Sequence, residues 1–233
     1  MRITLKNWLD LEFVELSAEA RPGAAPAAGT EAMFRAFEEA LAPYGLSLAN
    51  AVRSRIFGRD RAARDAASDV RRSVLSGPAR AATSSYIAPR VFDSEAAVAM
   101  DLITLKPSPG HDKAIRENDP PRLPCRYLTA GPLLVFSGQT AVLPTLDDQL
   151  RGDILPRITD YLAECGSGWD RVVHAACYLH SSQSPDHLRS LFRETAGALP
   201  PALDIGFVEG YSAEGKLVEV EITATRETWG DRR

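Results

Sequence analysis

Thiols, histidines, basic patches and long apolar runs are all scarce in this chain, and each scarcity removes a class of function. Cys125, Cys165 and Cys177 are the only cysteines. Odd in number and without metal-like spacing, they exclude a disulfide framework and fit a reducing cytoplasm. His111, His174, His180 and His187 are the only histidines, and no two form an i, i+4 pair with an acid between, so no metal is expected. The net charge is a mild −4 with no basic stripe, which argues against a nucleic-acid surface. Apolar runs such as Leu133–Phe136 fall far short of a membrane span. Residues 1–16 carry Asp10, Glu12 and Glu15 and lack the charged-then-apolar order of an export signal, so they read as strand. A phosphate-cradling glycine loop is missing too, because the glycine-flanked segment 210–215 runs into a strand rather than a helix.

What the chain does have is length and pattern. Its 233 residues, 45% apolar and 25% charged, suit two globular units of roughly 100–120 residues. Loose alternation over 1–20 supplies two strands, and 21–29, rich in Ala, Pro and Gly, reads as a loop. Thr30 then opens a helix in which Met33, Phe34, Phe37, Ala40 and Leu41 recur at helical spacing, with Gly45 past its end. A strand at 49–57, a charged helix at 59–75 and strands at 79–88 and 95–105 follow; Arg71 and Arg72 on that helix read as solvated. The proline-rich stretch 107–124 offers almost nothing apolar to bury and divides the chain into 1–106 and 125–233. After it the pattern restarts, with strands at 126–129 and 133–140 and a helix over 146–164, where Pro156 predicts a kink or a late start. A strand at 172–179, a helix at 185–195 and strands at 202–208 and 216–225 complete it.

Each half therefore reads strand, strand, helix, strand, helix, strand, strand. Landmarks repeat as well: Pro78-Ala79-Arg80 answers Pro201-Ala202-Leu203 at an offset of 123 residues. The run from Val98 through Asp101 answers Val218-Glu219-Val220-Glu221, which predicts a duplicated domain. In the last strand Val218, Val220 and Ile222 face one way, and Leu217, Glu219 and Glu221 the other.

These residues resemble the Rid family of reactive intermediate deaminases. The likeness rests on the order Ser137-Gly138-Gln139, Gly166, Pro201-Ala202 and Val218-Glu219-Val220-Glu221 in the second half, and on Gly45 and Pro78-Ala79-Arg80 in the first. Chorismatases resemble the same tandem arrangement. The resemblance implies an α+β fold of two tandem Rid-like domains, each a mixed sheet with two helices on one face. It further implies association into a trimeric or pseudo-trimeric barrel with ligand sites in the clefts. It also implies hydrolysis of an imine or enamine, a 2-imino acid giving a 2-keto acid and ammonia, with no cofactor. The expected partner is a small carboxylate substrate; neither nucleic acid nor membrane is.

By that resemblance Glu219 orients the attacking water and relays a proton, while an arginine fork grips the substrate carboxylate. The family's arginine matches Arg80, but Leu203 stands at that motif position in the second half, and Ala99 stands where the first half would need its glutamate. Two remedies are open. Arg126, beside the Ser-Gly-Gln strand, or Arg189 on the next helix supplies the cation; or the halves face each other and pool Arg80 with Glu219. Ser137, Gln139 and Glu221 are the remaining candidate binding residues, and Ser84, Ser85 and Tyr86 line a first-half pocket. Plainer readings stand beside these. Arg80 forms a structural salt bridge to Asp101, and Arg126 is a boundary residue. His174, Tyr178 and His180 share a strand face as packing residues, with Cys177 turned inward. A non-catalytic binding or scaffold protein, or a chorismatase-like hydrolase or lyase, are the alternative functions.

Overall fold

The computed structural model describes residues 1–226. β1 (Arg2–Trp8) and β2 (Leu11–Glu19) form a hairpin. Its turn residues Leu9 and Asp10 both take positive φ, 55° and 57°, the geometry that matches the twist of paired strands. α1 (Pro26–Leu41) starts at Pro26, not at Thr30. Proline fits the first turn because its missing N–H would have no partner there, and Thr30 turns its hydroxyl back to the Pro26 carbonyl at 2.8 Å. β3 (Ala51–Gly58), α2 (Arg61–Val74), β4 (Ala82–Ile87) and β5 (Val98–Leu105) complete the first half. Asp60 caps α2 by accepting the Ala63 N–H at 2.8 Å.

The stretch 107–124 is more than a linker. It contains β6 (Lys113–Arg116), which pairs with β7 (Tyr127–Ala130), and Ile115 packs on an apolar cluster. β8 (Leu133–Phe136) and α3 (Leu146–Gln149) follow, then a π-helical turn over Leu150–Ile154 and α4 (Leu155–Glu164). The widened turn falls just before Pro156, where the missing N–H interrupts the regular ladder, so the expected irregularity is present. β9 (Val172–His180), α5 (Pro185–Ala196), β10 (Leu203–Val208) and β11 (Val218–Thr225) end the described chain.

The first sheet has the order β1-β2-β5-β3-β4. Read from β7, the second runs β7-β8-β11-β9-β10, with β6 added outside β7. In both, a hairpin leads to the half's last strand, which pairs antiparallel with a strand whose other neighbour is parallel. One topology occurs twice. Helices cover one face of each sheet, around Phe34, Phe37, Ile56 and Met100 in the first half and Leu150, Ile158, Phe192 and Val220 in the second.

The opposite faces turn toward each other. Phe13, Val52 and Leu105 meet Leu128, Leu133 and Val135 in one apolar contact. Phe57, Tyr86 and Ala99 meet Val208 and Tyr211 in another. A backbone link joins the halves as well: the Ile87 N–H donates to the Gly210 carbonyl and the Glu209 N–H to the Ile87 carbonyl, both at 2.8 Å. No described helix is long and apolar enough to cross a membrane.

Candidate functional site

Period-two alternation in β11 puts Val218, Val220 and Ile222 in the helix-covered core. It therefore turns Glu219 and Glu221 toward the first sheet, where both are buried. Burying two carboxylates two residues apart is costly unless they are compensated. Glu221 is compensated fully. It accepts Arg53 Nη1 at 2.6 Å, Arg55 Nη2 at 2.7 Å and Nε at 2.9 Å, the Tyr86 hydroxyl at 3.0 Å, and the Ser84 hydroxyl. Burial alone would raise its pKa, but Arg53, Arg55 and these hydrogen bonds prevail and hold it at about 2.

Glu219 receives far less. Its one hydrogen bond among the described residues comes from the Tyr86 hydroxyl, at 3.3 Å. Burial and the neighbouring Glu221 charge push its pKa up to about 8, against weaker opposition from Lys216, Tyr86 and Arg71. Gly138 passes so close that a Cβ there would overlap Glu219 Oε1. Glycine at this position is what lets the carboxyl reach its place.

Glu219 lines a cavity of about 400 Å³ between the two sheets, together with Arg64, Arg71, Arg80, Ser85 and Lys216. Arg71 donates to the Ser84 carbonyl at 2.5 Å and the Ser54 carbonyl at 3.3 Å, neutral acceptors that leave its charge unbalanced. It is buried, and that burial lowers its pKa to about 10, so the solvated reading of Arg71 is corrected. Arg72 does reach solvent, paired with Asp69 at 3.1 Å. Among the described residues Lys216 bonds only the Ser212 hydroxyl, at 2.7 Å, and burial lowers its pKa. Arg64 donates to Ser85 Oγ at 2.5 Å and pairs with Asp65, which lines the same cavity. Arg80 pairs with Glu117 at 2.7 Å, not with Asp101, and its buried Nε has no hydrogen-bond partner among the described residues. A protonated acid thus shares one cavity with Arg71 and Lys216, which ion-pair with no described carboxylate. Such a site can bind an anion and hand it a proton.

No protein-family profile matches the chain, and no curated protein matches it. Among solved structures, a chorismatase aligns over 97% of this chain and 80% of its own, with a TM-score of 0.61 at 14% identity. The chain has the tandem Rid-like fold of chorismatase. Single-unit structures align over half of it. A YjgF/YER057c/UK114 family member, Rv2704 of Mycobacterium tuberculosis, is 24% identical, covering 49% of this chain and 99% of its own with a TM-score of 0.42. The Rid protein YyfA of Yersinia pestis is 20% identical over the same shares, with a TM-score of 0.44.

The Glu219 cavity lies between the two Rid-like halves, so Arg80 of the first and Glu219 of the second line one space. Ser84 and Ser85 line it too, while Tyr86 sits behind as the hydroxyl shared by the two glutamates. Ser137 is a latch between the Rid-like halves, its hydroxyl accepting the Thr83 N–H at 3.3 Å. Gln139 donates to the Ser137 carbonyl at 2.8 Å and pairs its backbone with Val220.

Three other candidates fall elsewhere. Arg126 pairs with Glu164 at 3.5 Å and lies over the Tyr161 ring. Arg189 pairs with Asp186 at 2.9 Å on the outer helix α5. Leu203 packs against the second-half core. Sheet register also moves Leu203 away from the arginine position. Ser54 lies between Leu102 and Thr83, and its counterpart Ala175 lies between Ile222 and Leu203. Leu203 therefore matches Thr83, not Arg80. His174 pairs with Asp204 at 2.9 Å, Tyr178 stacks on Tyr86 with centroids 4.0 Å apart, and Cys177 is buried in the helix-side core.

Sequence reasoning missed Arg53, Arg55, Arg64, Arg71 and Lys216. One signal was available. Arg53 and Arg55 share a face of a strand that is apolar but for them and Ser54, and two cations so placed require a buried counter-charge.

Proposed function

We propose that the chain hydrolyses a small anionic substrate carrying an imine or enamine, with Glu219 as general acid. The carrying observation is Glu219 itself: a buried carboxyl with one hydrogen bond, neutral at physiological pH, in a cavity with Arg71, Arg80 and Lys216. For a 2-enamino acid, Glu219 gives its proton to the terminal carbon and leaves an iminium. Water, deprotonated by the resulting carboxylate, then attacks C2. The carbinolamine collapses to the 2-keto acid as Glu219 protonates its nitrogen, the C–N bond breaks to release ammonia, and the hydroxyl proton returns to Glu219. Arg80 and Arg71 hold the substrate carboxylate, and their charge favours the developing anion on Glu219.

A specific observation keeps a second substrate open. Arg64, Arg72 and Arg80 of the cavity are paired with Asp65, Asp69 and Glu117, while Arg71 and Lys216 ion-pair with no described carboxylate. Two such cations suit a dianion, and the same protonation step hydrolyses a carboxyvinyl ether to an alcohol and pyruvate. The chorismatase likeness points the same way.

Both reactions are assayed on the full chain: ammonia release from imines made in situ by an amino-acid oxidase, and pyruvate release from chorismate. The expected result is turnover in one assay, reduced about 100-fold or more in Glu219→Gln and raised in KM by Arg80→Ala. No rate above background in either assay would end the hydrolase reading and leave a binding protein.

A further inference from the structure

A second and larger cavity, about 750 Å³, opens between the sheets beside β1 and β10, one edge strand of each sheet. That volume lies in the range of small-molecule sites. Cross-strand pairing sets Arg2, Ser17, Asp101 and Arg55 in one row on the first sheet, all lining this space. Val52, Ile103 and Val135 give it an apolar wall, and Trp8 and Tyr178 also line it.

Asp101 is the group that needs explaining. It is partly buried, burial raises its pKa, and no described residue hydrogen-bonds or ion-pairs with it. Its repeat counterpart is Glu221, since each is the fourth residue of its strand. Glu221 is gripped by two arginines of β3. β9 carries His174 and Ala176 where β3 carries Arg53 and Arg55, and His174 is tied to Asp204. Arg55, the cross-strand neighbour of Asp101, turns Nε and Nη2 to Glu221, leaving Nη1 without a hydrogen-bond partner among the described residues. The cavity wall thus presents a carboxyl that feels the charge of Arg55 and Arg2 but is hydrogen-bonded to neither, beside a guanidinium with a spare donor, on strands about 4.8 Å apart.

We propose that this cavity binds a free α-amino acid with an apolar side chain. The ammonium bonds Asp101, the carboxylate bonds Arg55 Nη1 and Arg2, and the side chain lies along Val52, Ile103 and Val135. An ammonium offers donors and no acceptor, and a carboxylate the reverse, so one zwitterionic carbon satisfies both neighbours at once. A simple anion would leave Asp101 unpaired, and a simple amine would leave the guanidinium donors unused. Because Arg55 contributes only Nη1, the ligand does not compete with Glu221.

Three probes of one shape test this by calorimetry on the full chain: L-phenylalanine, 3-phenylpropionate and 2-phenylethylamine. L-phenylalanine is expected to bind about ten-fold or more tighter than either half-ligand. Asp101→Asn should weaken L-phenylalanine about ten-fold and leave 3-phenylpropionate unchanged. If Asp101→Asn does not fold, Arg2→Ala at the strand end replaces it. That variant should weaken L-phenylalanine and 3-phenylpropionate while sparing 2-phenylethylamine. Absence of L-phenylalanine binding, equal affinity for L-phenylalanine and 3-phenylpropionate, or full affinity in the variant would overturn the proposal. So would loss of binding in Glu219→Gln, which would move the ligand to the other cavity.

Discussion

Glu219 and Glu221 stand two residues apart on one strand, yet hold their protons at about pH 8 and about pH 2. Partners make the difference: two arginines and two hydroxyls for Glu221, a single tyrosine for Glu219. The stability consequences have opposite signs. Glu221 has its pKa depressed below the ordinary 4.5, so its contribution is present above that value and lost as pH falls toward 2. Glu221→Gln should cost about 3–5 kcal/mol near neutrality, because it strands two buried arginines, and urea unfolding measures this. Glu219 has its pKa raised, so the folded state is penalised as pH climbs from 4.5 to about 8. Glu219→Gln should therefore stabilise the fold progressively over that window, by on the order of a few kcal/mol at its upper end. Matched unfolding curves at pH values below and above the window check it; equal differences at both ends would contradict the raised pKa. The alternation that places the two glutamates together was legible in the sequence. Their partners were not, since Arg53 and Arg55 lie far away in the chain and only folding brings the sheets face to face.

At the scale of elements, local signals carried well where local chemistry decides. Pro156 marked the irregular helix and Gly45 the end reached after α1; Gly45 takes a left-handed φ of 69°. Where a partner decides, they failed. The Pro-Ala motif aligns Leu203 with Arg80, but strand register is set by β9, which shifts Leu203 onto the position of Thr83. Helical spacing could not separate Arg71 from Arg72, because charged faces look alike until a sheet covers one of them. β6 escaped notice because four residues flanked by prolines owe their strand to pairing with β7. That pairing yields a prediction. Trypsin should cut first after Arg122, in the exposed segment following β6, and not within 113–116. The nicked halves should stay together on gel filtration, joined by the apolar clusters and the arginine–glutamate cluster. First cleavage inside β6, or separation of the halves, would contradict the packing.

For the whole molecule, duplication was readable because the same order of strands and helices occurs twice, and the matched sheet orders bear it out. Pooling of the halves into one cavity was one of two arrangements the residues left open, since only the packing of the two sheets decides between them. Self-association is a separate expectation: β1 is an unpaired edge exposing Ile3 and Leu5. Light scattering should give a multiple of the chain mass, a trimer by the family resemblance, and a strictly monomeric mass would count against it. The central claim is that the first half buries a carboxylate of the second and keeps it protonated for chemistry. It is tested most directly by titrating Glu219 in the intact chain, as the difference between ¹³C-glutamate NMR spectra of wild type and Glu219→Gln across the pH range. The expected result is a carboxyl resonance with its midpoint near pH 8. A midpoint at the ordinary glutamate value of 4.5 or below would contradict it.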